Sequence, residues 1–174
     1  MYAARVGADE TVALLLHKGA SPHLMNNSRR TALVYAIQSE CSSTIDLLAP
    51  VTTKGLDRAL ANLAAYHTKL TPAVEDLLRR AASDKVASRV GVDYASEYGA
   101  ASMLKVLTKG WDKDTLDFNL ANQLLESALM SDNADTVNTI RAFVPSVSPE
   151  NIDLALKLDG SYFKEEDGMK RNYH

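Results

Sequence analysis

A short segment at the start of this chain comes back at a fixed distance. Tyr2-Ala3-Ala4-Arg5-Val6-Gly7 reappears in register as Tyr35-Ala36-Ile37-Gln38-Ser39-Glu40, 33 residues later, and again as Tyr94-Ala95-Ser96-Glu97-Tyr98-Gly99. The same interval carries Val12 onto Ile45, Leu14-Leu15 onto Leu47-Leu48, and Leu104 onto Val137. A period of this length belongs to chains built from stacked supersecondary units. Such a chain buries one continuous core between neighbouring units and presents an extended surface. That architecture predicts a binding face in preference to a catalytic pocket.

Each unit reads as helical. Val12, Leu15 and Leu16 share one helix face, as do Leu56, Leu60 and Leu63, and Leu120, Leu124 and Leu125. Alternating strand patterns are almost absent, and Pro22, Pro50, Pro72, Pro145 and Pro149 fall between the periodic stretches. The expected fold is all-α, a helical-hairpin solenoid of five to six repeats joined by short turns or fingers. Second helices are expected near 9–17, 42–50, 71–81, 100–109 and 133–143, with their leucines structural. First helices carry small residues, Ala3-Ala4, Ala36, Ala64-Ala65, Ala95 and Ala128, which let successive layers approach. From Leu48 to Leu77 the step is 29 residues, so the third unit is shortened. The units are placed near 1–25, 26–53, 54–82, 83–114 and 115–147, with 148–163 as a partial cap, in one domain over 1–170. Ser148-Pro149-Glu150 is a helix-start signal for that cap. A polar tail is expected over 164–174.

Apolar residues make up 46% of the chain, which rules out wholesale disorder. The net charge of -3 argues against DNA, RNA or anionic membranes as primary ligands, since nucleic-acid binders carry a basic excess. Cys41 is the one cysteine, so neither an intrachain disulfide nor a thiolate metal cluster is available. The N-terminus lacks a signal-peptide pattern, and the longest apolar runs are too short to span a bilayer. These features predict an intracellular chain without membrane insertion, placed in the cytoplasm and compatible also with the nucleus.

One stretch resembles a known family. Leu14-Leu15-Leu16-His17-Lys18-Gly19-Ala20 followed by Thr31-Ala32-Leu33-Val34-Tyr35-Ala36 is similar to the ankyrin repeat. That family ends a unit with a leucine run and Gly-Ala, then crosses a β-turn finger into Thr-Pro-Leu-His-x-Ala. Thr31, Leu33 and Ala36 match; Ala32 replaces the proline and Val34 the histidine. The likeness is strongest over residues 1–50, and the later units keep the spacing while losing the signature. It implies a partner-binding concave face made of fingers and first helices. On this chain the corresponding positions are Tyr2, Arg5 and Val6 in unit one, Asn27, Ser28, Arg30, Tyr35, Gln38 and Ser39 in unit two, and Tyr94, Glu97 and Tyr98 in unit four. Tyr2, Tyr35 and Tyr94 occupy equivalent positions. Either they form an interface stripe, or each packs its ring between units and exposes its hydroxyl alone.

Other polar residues have plainer readings. His17, His23, His67 and His174 show no metal-ligand spacing, and His67 is placed at a first-helix end, where a cation meets the helix dipole. Cys41, in a turn, lacks a nucleophile signature. Asp112-Lys113-Asp114 does not match a calcium loop, and Asp132 or Asn133 is expected to shape the turn where other units have Gly7 and Gly99. Arg79-Arg80 and Lys105 read as a solvated face, and Trp111 as a cap on the core. No catalytic residue, metal site or cofactor is expected. The leading expectation is a non-catalytic module binding a protein or peptide, as a monomer or as part of a larger chain. The alternative is a regulatory or substrate-recruiting segment of a larger enzyme or channel, which the start inside a first helix favours.

Overall fold

The computed structural model describes residues 1–112, 115–144 and 146–158. Lys113, Asp114, His174, the end of the partial cap and the expected polar tail lie outside them. Among the described residues the chain is all-helical: α1 (Tyr2–Arg5), α2 (Asp9–His17), α3 (Ala32–Gln38), α4 (Ser42–Leu48), α5 (Leu56–Ala65), α6 (Pro72–Ala82), α7 (Lys85–Glu97), α8 (Ala101–Leu107), α9 (Phe118–Met130), α10 (Ala134–Arg141) and α11 (Pro149–Leu158). Odd-numbered helices are the first helices of successive pairs. The even-numbered ones fall where the leucine blocks predict second helices.

Packing follows the period. First helices stack in the order α1, α3, α5, α7, α9, α11, and second helices in the order α2, α4, α6, α8, α10. The core runs continuously between the two rows, from Ala4 and Val12 through Leu60, Leu77, Leu104 and Leu125 to Ile140 and Ala155. The tightest approach is between α5 and α7, where Gly91 makes room. A Cβ there would lie 2.5 Å from Leu60 Cδ2 and 2.9 Å from Leu107 Cδ1.

The hairpin turn is the most regular feature of the fold. Gly7, Glu40, His67, Gly99 and Asp132 each follow a first helix with positive φ. In four of these turns the next backbone N–H reaches back over the helix end: Ala8 to Ala3 O, Cys41 to Ala36 O, Thr68 to Leu63 O and Ala100 to Ala95 O, at 2.8–3.1 Å. This is the Schellman closure, which satisfies carbonyls that a helix end otherwise leaves orphaned. His67 therefore sits in the left-handed turn past α5, beyond the helix-end position expected for it. Asp132 takes the left-handed position (φ 51°), while Asn133 accepts the Thr136 N–H and caps α10.

Connections between pairs are less regular. Residues 18–31 form a finger between α2 and α3. Its tip is an Asn26-centred turn whose Oδ1 accepts the N–H groups of Ser28 and Arg30, each at 3.0 Å. Between α6 and α7 only Ser83 and Asp84 intervene, whereas the α5–α6 turn extends over 66–71. The shortened third unit thus loses its outgoing finger and lengthens its internal turn. α6 begins with Thr71 accepting from Val74 N and Pro72 at the first helical position. Asp84 and Asp117 cap α7 and α9 in the same way.

Not all of the second-helix leucines are core. Leu14 and Leu15 are exposed, Leu15 at 45%, whereas Leu48 in the equivalent place 33 residues on is at 2%. The cause is position in the stack: α4 is covered by α2 on one side and α6 on the other, and α2 packs on α4 alone.

Candidate functional site

The first-helix row presents one side chain per unit at the position five residues before each left-handed turn. Those residues are Tyr2, Tyr35, Asn62, Tyr94 and Ser127. The tyrosine stripe is therefore interrupted in the third unit. Asn62 escapes a simple 33-residue count because the shortened unit shifts the register, and counting back from His67 recovers it.

The three tyrosines sit differently. Tyr2 is 71% exposed, with the Arg5 guanidinium 5.2 Å from its ring centroid, within cation–π range. Tyr35 is half-buried, and its hydroxyl accepts from Asn26 Nδ2 at 2.8 Å, tying the finger to α3. Tyr94 is exposed and stacks parallel to Tyr98, with centroids 6.1 Å apart. Met1, Tyr2, Arg5 and Tyr35 line an open cleft of about 230 Å³.

A polar row crosses units two and three beside this cleft. Arg30 donates to Gln38 Oε1 at 3.4 Å, Gln38 Nε2 donates to Asn62 Oδ1 at 2.9 Å, and Asn62 Nδ2 donates to Arg58 O at 2.8 Å. Arg58, one helical turn before Asn62, shares its face and is exposed. Of the expected partner-facing residues, Tyr2, Arg5, Tyr35, Arg30 and Gln38 are brought together at this end. Asn27 and Ser28 are exposed at the finger tip, Val6 is exposed and Ser39 half-buried beside the α1 and α3 turns. Tyr94, Glu97 and Tyr98 form a separate exposed group two units on. Asn62 and Arg58 are additions from the structure.

Several residues with other candidate roles have structural partners. Arg80 donates to Ala49 O at 2.6 Å and Thr52 O at 3.1 Å, so it closes the end of α4 and does not belong to the solvated face; Arg79 pairs with Glu75 at 3.0 Å. His23 accepts the Thr53 N–H at 3.4 Å through Nδ1, joining the finger to the α4–α5 connection. Cys41 is half-buried at the α4 start, and a Cβ at Gly7 would meet its Sγ at 2.8 Å. Trp111 packs edge-on against Phe143 with centroids 5.8 Å apart. Asp9 accepts from the hydroxyls of Ser43 and Thr44 in the next unit, which hold its carboxyl below the ordinary carboxylate range. A second cleft, of about 280 Å³, lies along the hairpin turns between Leu63, His67, Ser102, Asn133 and Asp135. No group of three or more metal-ligating side chains converges among the described residues, and no described helix is long and apolar enough to cross a membrane.

The first helix pair and the beginning of the finger are thus a left-handed hairpin turn, a leucine-bearing second helix and a Gly19-Ala20 exit. Residues 1–27 match the ankyrin repeat family. The match covers the first unit, and the all-helical stack that follows agrees with an ankyrin-like solenoid. Comparison with curated proteins and with solved structures gives no significant match.

Proposed function

We propose that this chain is a non-catalytic interaction module that holds a protein or peptide on its first-helix face, next to the ankyrin-type finger. The observation that carries the reading is the grouping of Tyr2, Arg5 and Tyr35 around an open cleft, continued by the Arg30–Gln38–Asn62 row across the neighbouring units. Tyr and Arg bury large area while keeping a polar tip satisfied, which suits them to the centre of an interface. Ankyrin repeats are typically interaction modules without chemistry of their own, in keeping with this. The group at Tyr94, Glu97 and Tyr98 extends the same face.

Tyr35 and Arg30 hold hydrogen bonds inside the fold, so replacing them mixes folding with binding. Tyr2 and Arg5 are exposed and give the cleaner test. A photo-crosslinking amino acid placed at Tyr2 is expected to capture a discrete protein from native extract. Adding Arg5→Ala should reduce that capture without lowering the melting temperature. Equal capture from a crosslinker at Lys105, on the second-helix row, would remove the proposed face.

A further inference from the structure

The charge along the first-helix face is divided. Arg5, Arg30 and Arg58 lie in the first three units, and none has an ion-pair partner among the described residues. In the fourth unit Arg89 is consumed by Asp93 at 2.8 Å, and the exposed charges beyond it on the first helices α7 and α9 are Glu97 and Glu126. The N-terminal half of the face is therefore basic and aromatic, and the C-terminal half acidic, in a chain whose net charge is -3.

From this arrangement we infer that the partner is an extended acidic peptide segment, laid across the first three units with its carboxylates on Arg5, Arg30 and Arg58. The inference rests on the proposed function and names the chemistry of its partner. Geometry narrows the segment further. Packed helices lie about 8–10 Å apart, which sets the step from one unit to the next. A polyproline II strand has three residues per turn and rises about 3.1 Å per residue, so side chains three apart share a face at about 9 Å spacing. An acidic residue at every third position of such a strand keeps pace with the stack. The rigid strand also loses little conformational entropy on binding. The amides of Gln38 and Asn62 stand between the arginines, placed for backbone carbonyls and N–H groups of a segment that has no internal hydrogen bonds. The cleft between Tyr2 and Tyr35 accommodates an apolar side chain or proline ring at one end.

A peptide fits better than a nucleic acid. Three arginines and a mildly acidic whole make a weak electrostatic footprint for a phosphate backbone, whereas they match a short run of carboxylates.

The test is selection of a displayed random 12-residue peptide library on the intact chain, followed by affinity measurement with the enriched peptides. Enriched sequences are expected to carry Asp or Glu at three-residue spacing with intervening prolines. Affinity should fall by about tenfold or more in Arg5→Glu/Arg58→Glu, a loss of about 1.4 kcal/mol or more, and stay unchanged in Lys105→Glu. Enriched peptides without acidic bias that are still lost on Tyr2→Ala overturn the acidic partner and leave the face intact. Acidic peptides indifferent to both the arginine and the tyrosine changes overturn the face as well. Tighter binding of a single-stranded uridine 10-mer than of any selected peptide replaces the peptide with a nucleic acid and overturns the inference.

Discussion

The first two helix pairs are joined by the finger of residues 18–31, and the third and fourth pairs by Ser83 and Asp84 alone. Between these regions the outer connection changes completely, yet the inner hairpin turn does not. Gly7, Glu40, His67 and Gly99 all hold the same left-handed position, with the same backbone bond closing the helix behind them. The turn sets how a first helix folds back on its second, and any change there propagates into the core. The finger sits outside the core, so it can be shortened once its sequence signature is given up. Divergence in a stack of this kind therefore starts from the outside. The means of starting helices diverges with it: among the second helices, α2, α4 and α8 begin directly from the left-handed turn without a side-chain cap, while α6 and α10 use Thr71 and Asn133.

Position in the stack should dominate the energetics over sequence equivalence. Leu48→Ala removes a side chain buried between α2 and α6 and is expected to cost about 2–5 kcal/mol. The equivalent Leu15→Ala, at 45% exposure, should cost under about 1 kcal/mol. Urea unfolding of both variants measures the pair, and equal losses would mean that α2 is covered in solution. The next largest effect is expected where the finger is absent. Gly91→Ala forces a methyl against Leu60 and Leu107 and should cost about 1–3 kcal/mol by overpacking. The helix-propensity gain from glycine to alanine, about 1 kcal/mol, opposes it and sets the lower bound. A Leu60→Ala/Gly91→Ala double variant, read by the same unfolding, should show less than the sum of its two single losses, because the methyl then has room.

Much of this fold is legible from the 33-residue period alone, since the period fixes which helix neighbours which. The left-handed turns are legible at Gly7 and Gly99. Glu40 and His67 occupy the same conformation without a residue type that announces it, and only the period leads to Glu40. His67 and Asn62 are hidden for one reason: the third unit is three to six residues out of step with the others, and a fixed interval misses both. The exposure of Leu14 and Leu15 depends on what covers α2, which their own sequence does not carry. Among candidate site residues, Tyr2 and Arg5 lie on the exposed face, as the resemblance implies. Tyr35 and Arg30 turn out to be committed to Asn26 and Gln38, a hydrogen-bond choice that no spacing encodes.

A smaller effect separates the two ends of the second-helix row. Thr44 donates its hydroxyl to Asp9 in the preceding unit. Thr136, in the equivalent place three residues after the Asn133 cap, is fully buried and meets no hydrogen-bond partner among the described residues; Ala101 stands where Asp9 stands. A buried hydroxyl without a partner costs about 1–3 kcal/mol, and a satisfied one contributes about 1 kcal/mol. Thr136→Val is thus expected to raise stability and Thr44→Val to lower it by about 1 kcal/mol. Two changes of the same sign would show that the two ends of the row are alike.

The smallest effect belongs to the same bond and is read through pH. Ser43 and Thr44 donate to the ionised Asp9 carboxylate, so the carboxyl titrates in the folded chain below its unfolded value of 3.8. In that window the unfolded chain binds more protons, and stability rises with pH. The contribution is present in full above the unfolded value and is lost as pH falls through the folded one. Because the carboxylate is open to solvent, screening keeps the effect small. Asp9→Asn is expected to be slightly less stable than the parent at neutral pH, with the gap closing as the solution is taken below pH 3.8. Asp135→Asn, at the far end of the row, should show no such closing gap. Parallel pH profiles for all three proteins would mean that the Asp9 bond, and with it the electrostatic difference between the two ends, contributes nothing measurable to the fold.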